Sequence, residues 1–330
     1  MRAIVHRAYG GPDVLELAER PDPRPAPGWT VVRLKASALN WHDVLVRRGQ
    51  YGSPLPHTPG ADGAGVDLST GDDVVVLPSL GWGPDESAPS PEWEILGDRR
   101  PGTYAELVTV PSECILPKPR DLSWAQAASL PLVGVTTYRA LFTRGRLRAG
   151  ERVLVLGAGG GVATMAVSLA AAAGAQVYVT SSSDERIDRA RALGAAGGVL
   201  YTDSEWPAAA REAAGGGFDL VLDSVGNWQA SLDAARPGGR VVVLGASRAE
   251  QTQIDVRRFY FAQVDLLGTT MGSARDFAGL MRTLTDLDVP PPLVDRVFEL
   301  GDAAAAHRHL ESGAAFGKVV LSMDDTVGVP

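Results

Sequence analysis

Four glycines, Gly157, Gly159, Gly160 and Gly161, stand between an apolar run at residues 153–156 and an alanine-rich run at 162–173 free of Gly and Pro, which Gly174 closes. Glycine lets a backbone turn sharply and approach a ligand with no Cβ in the way. The apolar run reads as a buried parallel strand and the alanine-rich run as a helix. Strand, glycine turn and helix together offer a pyrophosphate the N–H groups of a helix start at Val162 and the positive end of that helix. The loop reads GAGGGVA, with Ala163 at the last small position, which the dinucleotide fingerprint allows. Dinucleotide binding is the expected chemistry.

The next strand, expected at 176–180, says which dinucleotide. An NAD site offers a carboxylate to the ribose 2′-hydroxyl at that strand's end. This chain has Ser181, Ser182 and Ser183 there, followed by Asp184, Glu185 and Arg186. Hydroxyls and a guanidinium suit a 2′-phosphate, and the missing carboxylate removes repulsion against one. NADP(H) is therefore the expected cofactor. Ser183 also suits a helix N-cap, with Asp184 and Glu185 in the first turn.

The chain has 330 residues, enough for two domains, with 45% hydrophobic and 21% charged residues, the balance of a soluble globular protein. A net charge of −8 argues against nucleic acid or an anionic membrane as partner. A single cysteine, Cys114, leaves no internal disulfide framework and no multi-cysteine metal site. No run approaches the roughly 20 apolar residues of a membrane span, and the first residues alternate like a strand. A cytoplasmic setting is expected.

Residues 1–119 read as short strands at 3–6, 15–18, 31–38, 74–78 and 104–111, divided by Pro and Gly turns, with a long polar stretch at 79–102 carrying Trp82 and Trp93. That is a β-rich, barrel-like composition. From Ser123 strands and helices alternate. Helices are expected at 124–130, 135–144, 185–193, 207–214, 229–235 and 276–287, and strands at 199–201, 220–223, 240–244 and 264–268. The pattern is a doubly wound α/β domain with a parallel sheet. A last strand, helix and strand at 294–300, 302–311 and 318–321 are assigned back to the first domain. The expected division is 1–119 with 295–330, and 120–294, with the active site in the cleft between them.

The order of these domains and a string of local matches resemble the medium-chain dehydrogenase/reductase superfamily. They include ALNWHD (38–43), RRGQY (47–51), PGADGAG (59–65), GTYAELVTVP (102–111), LPLVGVTTYRAL (130–141), FDLVLDSVG (218–226), GGRVVVLG (238–245) and FGKVVL (316–321). The resemblance implies a GroES-like catalytic domain joined to a Rossmann domain. It is strongest to zinc-independent quinone oxidoreductases and their alcohol-dehydrogenase-like neighbours. Zinc members use a Cys where this chain has Asn40, a His-Glu pair where it has Ala61 and Asp62, and a further Cys near Val133. Catalytic zinc needs three protein ligands, so a zinc-free protein is expected.

For the site, the resemblance implies that Asn40 and Tyr51 line the pocket beside the nicotinamide. Asn40 would donate a hydrogen bond to a substrate carbonyl, and Tyr51 would supply a proton or hold the substrate ring. Trp41 would shape the pocket, and Asp43 would hold the loop. Thr136 would lie beside the nicotinamide amide or phosphates, and Tyr201 near the 2′-phosphate. Ser224, Val225 and Gly226 would meet the nicotinamide ribose through backbone groups, as would Gly245, Ala246 and Ser247 one strand later. Lys318 would approach the cofactor phosphates. Asp223 reads as structural, Cys114 as a small buried thiol, and His307 and His309 as solvated helix residues.

The resulting expectation is an NADPH-dependent, zinc-free reductase of a small-molecule quinone or α,β-unsaturated carbonyl compound, acting as a homodimer. Two rivals stay open: an alcohol/carbonyl dehydrogenase, and a low-turnover NADPH-binding sensor.

Overall fold

A computed structural model describes residues 1–324; the last six positions of the expected 295–330 segment lie outside the described residues. The chain divides into two compact units. One holds Met1–Val133, Ser273–Ala278 and the chain from Pro291 onward; the other holds Gly134–Gly272 and Gly279–Pro290.

The first unit is built around strand Trp29–Ala38. Its residues Val32, Leu34, Ala36 and Ala38 are buried, the alternation that seats one face of a strand in a core. In the sheet the order is Val294–Glu299, Lys318–Ser322, Trp29–Ala38, Asp62–Asp67, Asp73–Val76 and Ile115–Pro117, with Leu107–Pro111 also on Trp29–Ala38. Pairing is antiparallel except between Val294–Glu299 and Lys318–Ser322. The returning C-terminal strand thus belongs to this unit. A register shift between Leu34 and Ala36 bends the central strand. Gly65 sits opposite that bend, where a Cβ would come within 2.1 Å of the Arg33 carbonyl oxygen.

Two features depart from the sequence reading. Residues 41–47 form a helix, Trp41–Arg47, opened by the Asp43 carboxylate, which accepts the Asn40 backbone N–H at 2.7 Å. The polar stretch at 79–102 is not featureless. Ser79–Leu80 pairs with Glu94–Ile95, Trp82 and Trp93 pack edge to face, and the Trp93 indole N–H donates to Ser79 Oγ at 2.8 Å.

In the second unit six parallel strands lie in the order Gly197–Leu200, Gln176–Ser181, Arg152–Val155, Phe218–Asp223, Ala235–Val243 and Asp265–Gly268. In chain order that is third, second, first, fourth, fifth and sixth, the doubly wound arrangement expected. The middle strands run almost wholly apolar because helices cover both faces; Leu154, Phe218, Val221 and Val241 pack with Trp206 and Leu232 in one buried cluster. The order reverses between Arg152–Val155 and Phe218–Asp223. Where their carboxyl ends meet, the Leu156 N–H donates to the Leu222 carbonyl at 3.0 Å. A further helix, Val256–Ala262, was not expected; its Val256, Tyr260 and Phe261 are exposed.

Candidate functional site

At the carboxyl end of Arg152–Val155 the chain turns through Gly157, whose φ of +102° is open to glycine and disfavoured for other residues. The Gly157 N–H donates to Thr180 Oγ1 at 3.0 Å, tying the loop to the neighbouring strand. Helix Gly161–Ala172 starts from an extended Gly160 with no side-chain cap, so its first-turn N–H groups, including that of Val162, have no partner within the helix. A Cβ built on Gly157 or on Gly160 meets nothing within 4 Å. Bare backbone, open space and a helix N-terminus fit a diphosphate. Gly159 is buried within the same turn.

At the end of Gln176–Ser181, Ser181 is buried and its Oγ accepts the Ser183 N–H at 3.2 Å, while Ser182 is exposed. Arg186 is half-buried on helix Asp184–Ala192 and already engaged. The Tyr201 N–H donates to the Ser181 carbonyl at 2.9 Å, which holds that ring beside the serines. Over the ring lies a cation the sequence reading missed. Arg248 stacks its guanidinium 4.5 Å from the Tyr201 centroid and donates to the Tyr201 hydroxyl at 2.7 Å. Arg248 sits in a loop with no periodicity, so only the register of the sheet reveals its neighbour.

The turn at Ser224–Gly226 is more self-contained than expected. Asp223 Oδ1 accepts the N–H groups of Val225 and Gly226, each at 2.8 Å, and Oδ2 accepts Ser231 Oγ at 2.9 Å. These two N–H groups are therefore not presented to a ribose, because a buried carboxylate needs them. Asp223 is structural, as expected. Ser247 Oγ closes onto the Ser224 carbonyl at 3.1 Å, leaving Gly245 half-buried beside it and Ala246 exposed. Thr136 is buried with its hydroxyl 3.8 Å from Met271 Sδ.

In the first unit, sheet register assembles three distant residues. Ala38 pairs with Val320 on one side and Asp62 on the other, which sets Asn40, Asp62 and Lys318 together at one end of adjacent strands. Lys318 Nζ lies 3.0 Å from Asp62 Oδ2 and 2.5 Å from Asn40 Oδ1. The Asn40 amide donates to Asp62 Oδ2 at 2.9 Å and to the Ala38 carbonyl at 3.3 Å; Asp62 Oδ1 accepts the Leu132 N–H at 2.7 Å. Burial pushes the Asp62 carboxyl above its ordinary value, against the pull of Lys318, Asn40 and Leu132.

Two expectations change here. Both Asn40 donors are spent inside the protein, so the amide is not free to bind a substrate carbonyl. Nor does Lys318 reach out towards phosphates: a buried ammonium must find a carboxylate, and Asp62 is that carboxylate.

A second buried network lies under helix Trp41–Arg47. Arg47 can only donate, so His307 Nδ1 accepts from it at 3.1 Å and Nε2 carries the ring proton. That nitrogen meets the Tyr104 hydroxyl at 3.1 Å, and the hydroxyl donates to Asp43 Oδ2 at 3.3 Å. Arg47 also pairs with Glu311 at 2.6 Å. Burial pushes His307 down to about 4, helped by Arg47. His307 is thus fully buried rather than solvated, and His309 bonds Asp295 at 2.7 Å. Periodicity could not show this, since the partners come from residues 43–104.

Tyr51 and Trp41 are the exposed aromatics here, at 46% and 43%. Tyr51 rests on the His42 ring, centroids 4.8 Å apart. His42 Nε2 bonds Asp98 Oδ1 at 2.5 Å, and its Nδ1 faces Asp43 Oδ1 at 3.5 Å. Burial alone would lower His42, but Asp43 and Asp98 outweigh it and push it up to about 9. His57 bonds the Gly97 carbonyl at 2.7 Å, and burial lowers it. Cys114 is buried and burial pushes its thiol up to about 12. Among the described residues no group of three or more His, Cys, Asp or Glu side chains is arranged to hold a metal ion, and none of the helices could cross a membrane.

Residues 26–120 match the family model of the alcohol dehydrogenase GroES-like domain, and residues 161–286 that of zinc-binding dehydrogenases. A zinc-type alcohol dehydrogenase-like protein of Schizosaccharomyces pombe is 31% identical over 98% of this chain and 99% of its own length. A quinone oxidoreductase of Mus musculus is 30% identical, covering 97% of both. The crystal structure of an NAD-dependent alcohol dehydrogenase superposes with a TM-score of 0.92 at 39% identity, over 98% of this chain and all of that one. With a GroES-like domain, a Rossmann-like parallel sheet and relatives matched end to end, the chain belongs to the medium-chain dehydrogenase/reductase superfamily and is an oxidoreductase.

Proposed function

We propose that the protein reduces a quinone or an α,β-unsaturated carbonyl compound with NADPH and without zinc. The observation that carries the reading is the Asn40–Asp62–Lys318 network. The one carboxylate at the positions where zinc members of the superfamily keep ligands is already neutralised by a lysine, and its partner is an amide. That donor set does not fit a catalytic zinc ion, which needs three protein ligands and an open position.

An alcohol dehydrogenase polarises its substrate oxygen with a Lewis acid. Quinones and enones accept hydride at an already activated position, so positioning and water exclusion carry more of the work. When bound, the nicotinamide supplies the hydride. Tyr51 and Trp41 present the exposed aromatic surface suited to a flat acceptor. Asn40 holds Lys318 and Asp62 together.

Support for NADPH over NADH comes from Ser181, Ser182, Tyr201 and Arg248. They put hydroxyls and a stacked guanidinium at the end of the second strand of the Rossmann-like sheet, where an NAD site keeps a carboxylate. The same reading takes the protein to be a homodimer in the cytoplasm.

The test is an acceptor survey with NADPH and NADH, using a benzoquinone, a cyclic enone and an aldehyde. NADPH-driven turnover of the quinone or enone is expected. Turnover of the aldehyde alone, driven by NADH, would make the protein an alcohol/carbonyl dehydrogenase instead. Tight NADPH binding with no turnover would leave it a sensor.

A further inference from the structure

The acceptor gains a hydride and a proton, and the proton has no obvious source. Both Asn40 donors and the Lys318 ammonium are committed to buried partners. Tyr51 is a weaker acid than an ordinary tyrosine, because burial and the Asp98 charge both raise its hydroxyl. Beneath Tyr51, however, lies the His42 ring, held between two carboxylates that favour its charged form.

His42 is buried between two carboxylates, Asp98 from the turn after Ile95 and Asp43 from its own helix. The contact to Asp98 is a short hydrogen bond of 2.5 Å. Towards Asp43 the geometry is different. His42 Nδ1 and Asp43 Oδ1 face each other at 3.5 Å, both are buried, and neither has a hydrogen-bond partner. Asp43 spends its other oxygen on the Asn40 N–H and the Tyr104 hydroxyl. Tyr51 covers the ring from the outer side, and His57 lies near Asp98. The side chain of Asp98 keeps 12% of its exposure, more than His42 or Asp43, so it is the outlet of the cluster.

We propose that the His42–Asp98 pair is the proton reservoir of the reduction, releasing its proton through the Asp98 carboxyl to an acceptor seated against Tyr51. The proposal rests on the reductase reading above. As hydride leaves NADPH for the acceptor, the N–H bond at His42 Nε2 breaks and an O–H bond forms on Asp98. Asp98 then gives the proton to the reduced acceptor: the oxygen of a hydroquinone anion, or the enolate of an enone. Water restores the proton to His42, so NADPH, acceptor and one proton become NADP⁺ and the reduced acceptor. Asp43 holds the far side of the ring and keeps the imidazolium in place between turnovers. His42 does not touch the acceptor; it acts through Asp98.

The experiment combines single-turnover oxidation of bound NADPH by cyclohex-2-enone across neutral and alkaline pH with ¹⁵N NMR titration of the histidine rings in the same protein. The wild-type rate is expected to hold through neutral pH and then fall about tenfold per pH unit once His42 loses its proton. Asp98→Asn should lower the pH at which the ring titrates by at least about one unit. Because an amide cannot relay the proton, it should also slow the reaction at least about tenfold at neutral pH and abolish the limb, with NADPH affinity unchanged. His42→Gln should slow the reaction at least about tenfold at neutral pH and abolish the limb. A ring titration that moves in Asp98→Asn while the rate and its limb stay at their wild-type values would overturn the reservoir and leave the reductase standing. Absence of enone and quinone turnover by protein that binds NADPH would overturn the reductase reading, and the reservoir with it.

Discussion

Lys318 and Asp62, 256 residues apart in sequence, meet at 3.0 Å in the interior of the GroES-like unit, with the lysine 4% and the aspartate 0% exposed at the side chain. Their meeting follows from strand pairing on both sides of Ala38. A charge buried to that degree depends on its partner. Lys318→Met or Asp62→Leu alone should cost about 3–5 kcal/mol of stability, whereas the double replacement should recover much of it. Urea denaturation of the three variants measures this, and additive losses would show that the two side chains act independently.

Removing Arg248 tests the cofactor reading. The guanidinium is held over the Tyr201 ring and on its hydroxyl. A charge-assisted hydrogen bond to a phosphate is worth about 1.5–3 kcal/mol, so Arg248→Ala should weaken NADPH roughly ten- to hundredfold and leave NADH nearly unchanged. Arg186→Ala should likewise weaken NADPH more than NADH, since its guanidinium stands on the helix that follows the serines. Fluorescence titration of both cofactors reads the difference. Equal loss for NADH and NADPH would place Arg248 away from the 2′-position.

Two buried histidines set opposite pH limits on stability. His42 is raised from its ordinary value to about 9, so its contribution is complete below about 6.5 and disappears as pH climbs through 9. His307 is lowered to about 4, so its contribution is complete above about 6.5 and disappears as pH falls through 4. Each range corresponds to about 3 kcal/mol. Burial also lowers His6 and His57, which adds to the acid side. Thermal melting should be most favourable near pH 6.5. His307→Gln should flatten the acid slope, and His42→Gln the alkaline one.

Gly157→Ala asks whether the phosphate turn needs glycine for its conformation. No neighbour would clash with the new methyl group, but φ is +102°. The strain is of the order of 1–3 kcal/mol. Dinucleotide affinity should fall about tenfold or more, with both cofactors affected alike. Calorimetry checks this, and unchanged binding would mean that the loop relaxes freely.

Much of the Rossmann-like unit was legible in the sequence because its signals are local. A strand of apolar residues, a glycine turn and an alanine-rich helix lie within two dozen positions, and the structure places them within a residue of expectation. The GroES-like unit was harder. Its strand runs could be read, but NWHDVLV looked like loop between them, and the cap that makes it a helix, the Asp43 carboxylate on the Asn40 N–H, is apparent only in three dimensions. The site residues divide the same way. Gly157 and Ser181 announce themselves by position along a motif. Asn40 as a committed amide, Lys318 as a buried cation, His307 as a buried acceptor and Arg248 as a stacked guanidinium depend on partners tens to hundreds of residues away.

The most direct measurement is kcat/KM for NADPH-dependent reduction of a benzoquinone by chelator-treated protein, before and after zinc is added back, with metal content determined on the same samples. The expected result is full activity in metal-free protein and no gain on adding zinc, because the lysine already neutralises Asp62. Activity that disappears with the metal and returns with zinc would contradict it, and would send the search for ligands to His42, His57 and Asp62.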